Sequence, residues 1–159
     1  MKLHTLVLSA ALLCVAAGAQ AAGGGGGGGG GDTTNADPVL QVANAAIARK
    51  DWNAAQATLK EALARNAQNA DYNNLYAYSL RKVANPDMQA VFFHYGEALR
   101  IDPKHRGAHE YIGEAYLMVG KLAQAREHLA ALDKLCFFSC EEYTELKEAI
   151  SKYERSHPA

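Results

Sequence analysis

The sequence has no excess of positive charge: 16 Lys and Arg stand against 17 Asp and Glu, for a formal net charge of −1. A chain with no basic surplus has little with which to neutralise phosphates, so nucleic acid is not an expected partner. There is also no Lys/Arg-rich amphipathic face suited to an anionic membrane. Cysteine is scarce, with three residues, and neither Cys-x-x-Cys nor the haem signature Cys-x-x-Cys-His occurs. The thioredoxin-type spacing and covalent haem attachment are therefore absent. Period-two alternation and strand-flanking turns are missing, which argues against a β-rich fold. No nucleophile is placed with a base, and the chain is not expected to be an enzyme.

The N-terminal region has a character of its own. Lys2 gives a positive start, Leu6 to Ala17 is an apolar run, and Ala19-Gln20-Ala21 supplies small residues around a cleavage point. Residues 1–21 read as a signal peptide cleaved near Ala21, and its apolar run is too short to span a bilayer. Lipidation at Cys14 is disfavoured, because Leu13 precedes it and the residues after it remain apolar. Residues 22–36 contain nine consecutive glycines, Gly23 to Gly31, and read as a flexible tether. No Gly-Lys-Ser/Thr ending is present to make them a phosphate-binding loop. An exported, periplasmic location is expected.

From Asp37 the chain repeats itself. Segments beginning at Ala36, Ala70 and Arg106 align with starts 34 and 36 residues apart, the extra two fitting an enlarged turn at Asn85-Pro86. A small residue recurs in the middle of each first helix (Ala43, Ala77, Gly113), preceded by a larger apolar one (Val42, Tyr76, Ile112). The second helices carry Ala55, Leu59 and Ala62; Tyr95 and Ala98; and Ala125, Leu129 and Leu132, spacings that share one helical face. Lys50-Asp51 and Val119-Gly120-Lys121 break the pairs, and Arg100-Ile101-Asp102-Pro103 ends the second unit.

These residues make the segment to about Leu135 resemble the tetratricopeptide-repeat (TPR) family, over close to two thirds of the chain. Its third repeat, Tyr111-Ile112-Gly113-Glu114-Ala115-Tyr116, is the most typical. The resemblance implies an all-α TPR solenoid: three helix-turn-helix repeats over about 37–69, 70–105 and 106–135, then a cysteine-containing turn and capping helix over 136–155. The capping helix is expected over Glu141 to Tyr153, with Tyr143, Leu146, Ile150 and Tyr153 on its inner face. Ser139 with Glu142 reads as its capping box, and the end from Ser156 is expected to fray.

Cys136 and Cys140, the only cysteines beyond the leader, flank Phe137-Phe138-Ser139. A structural disulfide at the helix boundary, a pair of buried thiols, and a soft-metal or redox pair are all open to them. A cysteine pair before a last helix also resembles small exported bacterial TPR proteins. Among the histidines, His105 and His109 have metal-ligand spacing, but His105 is placed in a loop and His109 where TPRs carry a packing aromatic. His94 and His128 fall at equivalent second-helix positions. Glu97, Glu110, Glu114 and Glu127 read as solvated or groove charges, Trp52 as a packing aromatic, and one of Phe92-Phe93 as exposed.

TPR stacks bind ligands along the concave surface formed by their first helices. The resemblance puts Leu40 and Asn44, Asn74, Tyr78, Arg81 and Lys82, and Glu110, Glu114 and Met118 on that surface. Asn can pair with an extended peptide backbone and Arg81 can fork onto a carboxylate. The asparagine–lysine–arginine clamp by which some TPR domains hold chaperone termini is incomplete here, because Gly107, Glu110 and Glu114 stand where bases are needed. The expectation is an exported adaptor or scaffold that binds a protein or peptide, in cell-envelope assembly or complex organisation, without a cofactor. Self-association is an open alternative, as is a metal or thiol-redox accessory using Cys136 and Cys140.

Overall fold

The computed structural model describes residues 37–158; the expected leader and tether lie outside the described residues. Seven helices follow one another: α1 (Pro38–Ala48), α2 (Trp52–Arg65), α3 (Ala70–Arg81), α4 (Met88–Ile101), α5 (Arg106–Met118), α6 (Leu122–Leu135) and α7 (Glu141–Ser156). There is no strand among the described residues. Each helix packs on the next, and α1 also meets α3, α3 meets α5, and α5 meets α7. Contacts between every other helix are what a stack of antiparallel pairs produces.

Local chemistry sets the helix starts. The side chains of Asp37, Asp51, Asn69 and Asp87 accept from the first free N–H groups of α1 to α4. His105 does the same for α5 through Nδ1, which accepts from Ala108 N–H at 3.1 Å. The turns within the first and third pairs need a left-handed residue. Gly120 takes it at φ 75°, and Lys50 takes the equivalent place at φ 58° despite its side chain. The middle pair uses the longer link from Lys82 to Asp87, where Asn85-Pro86 was expected to enlarge the turn.

Three clusters stack into a continuous core. Ala43, Leu59, Ala62 and Tyr72 form the first; Ala77, Val91, Tyr95, Ile112 and Ala115 the second; Leu117, Ala125, Leu132, Leu146 and Ile150 the third. Ala43 and Ala77 are fully buried. Gly113 shows why this place must be small: a Cβ there would stand 2.6 Å from Leu146 Cδ2. Phe92 stacks on Tyr116 at 4.7 Å, while Phe93 is exposed, touching only the edge of His94 among the rings.

The structure corrects three local expectations. Val42 precedes the small residue as Tyr76 and Ile112 do, yet it is 56% exposed, because among the described residues no helix precedes α1 to cover it. The capping box at Ser139 does not form. Cys140 is the N-cap residue and has no side-chain cap bond; Ser139 Oγ meets Thr144 Oγ1 at 3.1 Å, and Glu142 lies 3.5 Å from Arg106 Nε. The opposite charge on α5 thus draws Glu142 away from the cap. Lastly, α7 runs on through Ser156, whose Oγ donates back to the Tyr153 carbonyl at 2.9 Å.

Cys136 and Cys140 are joined in a disulfide, with Cα atoms 5.7 Å apart. The bond closes the link between α6 and α7 and holds up its two phenylalanines: Phe137 is 93% and Phe138 82% exposed.

Candidate peptide-binding groove

Tyr78, Arg81, Lys82, Glu114 and Met118 converge in the structure. On α3, Tyr78 projects between Trp52 of α2, at 6.1 Å between ring centres, and Tyr111 of α5, at 4.7 Å. Lys82 Nζ sits 5.0 Å from the Tyr78 centroid and the Arg81 guanidinium 5.6 Å. A cation at this distance from an aromatic face is attracted to it. Half-burial, followed by the neighbouring Arg81 charge, lowers the Lys82 pKa, and half-burial raises that of Tyr78.

Arg81 does not offer its charge to the groove. It is 6% exposed, and its Nη2 reaches Glu114 Oε2 on α5 at 2.5 Å, with Met118 Sδ 3.9 Å from Nη1. The ionic fork expected for a ligand is closed on the chain's own carboxylate. Asn74 is also buried, its Oδ1 without a hydrogen-bond partner and its Nδ2 close to where a Gly107 Cβ would stand. Asn44 is exposed on α1, with Met118 and Lys82 likewise open to solvent.

Glu110 overturns the reading of a solvated charge. It is 3% exposed, packed against α7. Burial, then a hydrogen bond to Glu145 and the charges of Glu145, Glu114 and Glu142, raise its pKa to about 9. It is therefore a neutral acid at neutral pH. The unfolded chain releases this proton near 4.5, whereas the folded one keeps it to about 9. The folded state binds the extra proton across that window, so this group's stabilisation is complete below 4.5 and declines as pH rises towards 9. Glu110→Gln is expected to match the natural protein near pH 4.5 and to exceed it by a margin that grows as pH rises towards 8. Urea unfolding at the two pH values checks this; parallel curves for both proteins would rule it out.

The last helix adds a wall that the sequence reading left out of the groove. An open cleft of about 770 Å³ runs between Glu114 and α7, bordered by Tyr143, Glu145, Glu148, Lys152 and Arg155. A smaller one of about 350 Å³ lies at the other end, where Lys50, Trp52, Asn53 and Lys82 meet. The alternation of three and four residues among the α7 charges was visible in the sequence. That they border a cleft with α5 depends on how the cap docks.

The histidines serve the repeat. His94 Nδ1 donates to Asn73 Oδ1 at 2.9 Å, and one repeat on His109 and His128 make the same link between first and second helix, Nδ1 to Nδ1 at 2.9 Å. His109 Nε2–H donates to the Pro103 carbonyl at 3.1 Å, which leaves its Nδ1 to accept from His128. Burial, then the proximity of His109, lowers the His128 pKa to about 4. His105 uses Nδ1 as a cap and donates from Nε2 to Asp71 Oδ1 at 3.1 Å. Among the described residues, no group of three or more His, Cys, Asp or Glu is arranged to hold a metal ion.

Three stacked helix pairs, small residues at their crossings and a polar-faced last helix define an all-α TPR solenoid. Among solved structures, the chain is similar to the TPR2B domain of yeast Sti1 in its pHsp70 complex. The TM-score is 0.65 at 18% identity, covering 75% of this chain and 95% of that one. No protein-family model matches the chain, and no curated protein does.

Proposed function

We propose that this protein is an exported bacterial TPR adaptor that holds a protein or peptide along its concave surface and serves in cell-envelope assembly or the organisation of a protein complex. The observation that carries the reading is the open patch of Trp52, Tyr78, Tyr111 and Lys82: rigid aromatic area beside a cation, half-buried on the first-helix side of the stack. Such surfaces concentrate binding energy in few residues. The fold's likeness to a domain solved in a pHsp70 complex supports the same reading, and the leader and tether motivate the exported location. With the sulfurs of Cys136 and Cys140 bonded to each other, neither is the thiolate that a soft metal requires.

The test is crosslinking in living cells followed by affinity capture, comparing the natural protein with an Asn44→Arg/Lys82→Glu variant. Both positions are exposed, so the variant is expected to fold normally. An envelope protein captured by the natural chain and lost in the variant supports the groove. Identical captures would place any binding elsewhere. Arg81, being internally paired, is unsuitable for this test.

A further inference from the structure

The face of α7 that borders the open cleft carries a straight row of exposed charges: Glu141, Glu145, Glu148, Lys152 and Arg155, the last four of them lining the cleft itself. The steps of four, three, four and three put them on one stripe about 21 Å long. The first three are acidic and the last two basic. None of the five forms an ion pair with another described residue, although Arg126 and Glu154 nearby do so at 2.6 Å. Glu145 alone is engaged, through its hydrogen bond to Glu110.

Each end of the stripe is flanked by exposed apolar residues. The disulfide-closed turn before α7 presents Phe137 and Phe138, whose rings stand 5.1 Å apart, edge to face. At the far end of α7, beside Tyr153, lies the turn of Gly120, next to the exposed Met118 and Val119. The links after the first and second repeats, Asn66 to Asn69 and Asp102 to His105, are polar at the place where the third presents two phenylalanines. Acid-first, base-last order suits a lone helix through its dipole. That does not account for apolar residues at both ends.

We propose that this face pairs with the same face of a second copy, the two α7 helices lying antiparallel about a twofold axis near Glu148. A twofold contact requires a surface that complements itself. Here Glu141 and Glu145 of one copy meet Arg155 and Lys152 of the other, twice. Phe137 and Phe138 of each copy cover Met118 and Val119 of the other. Glu148 faces its own image on the axis, with Lys147 beside it in the same cleft. The contact covers the α7 end of the concave surface, Met118 included, and leaves the patch of Trp52, Tyr78 and Lys82 open, so the peptide-binding reading can fail without it, and it without that reading.

The test is sedimentation equilibrium of the purified protein expressed from the full chain, across the micromolar range. The natural protein is expected at twice the chain mass, and Phe137→Ser/Phe138→Ser at the single mass. Glu141→Lys/Glu145→Lys and Lys152→Glu/Arg155→Glu should each be monomeric alone and form a mixed dimer when combined. The mixed dimer also shows that neither variant has lost its fold. A monomeric natural protein, or variants that do not pair on mixing, or a dimer indifferent to all these changes, overturns the proposal.

Discussion

Glu114→Ala is expected to cost about 3 kcal/mol, the lower end of the range for breaking a buried ion pair, because Arg81 is buried while the Glu114 side chain is 26% exposed at the cleft. The reason lies in what remains. Arg81 is 6% exposed and cannot shed its proton. Once Glu114 is gone, no other carboxylate is paired with it, and its Nε already lacks a hydrogen-bond partner. Tyr95, beside it, is itself fully buried and offers no charge at neutral pH. Replacing both members with apolar residues of similar volume, Arg81→Met/Glu114→Leu, should recover most of the loss, because neither charge then needs water. Urea unfolding of the three proteins decides the matter. A loss in Glu114→Ala under about 1 kcal/mol would mean that the pair behaves as a surface bridge.

This pair also marks where reading residues one by one stops. An arginine and a glutamate on successive first helices look like two ligands for a peptide. Whether they reach outward or towards each other depends on the rotation of α3 against α5, which no local pattern encodes. Glu110 was hidden for the same reason. Its spacing is that of a solvated face, and only the docking of α7 covers it. The small residues were legible because their constraint is local: Ala43, Ala77 and Gly113 stand at one register in three copies, and a crossing helix tolerates nothing larger. The enlarged middle turn was equally plain from Asn85-Pro86. Val42 shares the register of Tyr76 and Ile112, but among the described residues no helix precedes α1 to cover it. The Ser139 capping box obeyed the local rule, but Arg106, more than thirty residues earlier, draws Glu142 aside. Capping signals within one helix can thus lose to a charge arriving from another.

The second large effect concerns the seat of the capping helix. Leu146 is fully buried, with its methyl groups over Gly113 and its neighbours in the third core cluster. Leu146→Ala should destabilise by about 3 kcal/mol, from lost burial and the cavity left behind. Gly113→Ala alone sets two effects against each other. Alanine favours a helix interior by about 1 kcal/mol over glycine. Its Cβ, however, would stand 2.6 Å from one Leu146 methyl and 2.7 Å from the other, in a place with no free volume. In the double variant the shortened side chain removes the clash and the new methyl refills part of the cavity. The two changes together should therefore cost less than the sum of their separate costs, by more than about 0.5 kcal/mol. Thermal or urea unfolding of the four proteins closes the cycle. Simple additivity would mean that α7 shifts on α5 to relieve the contact, and that the cap is held by the Cys136–Cys140 bond and Ile150 more than by this interlock.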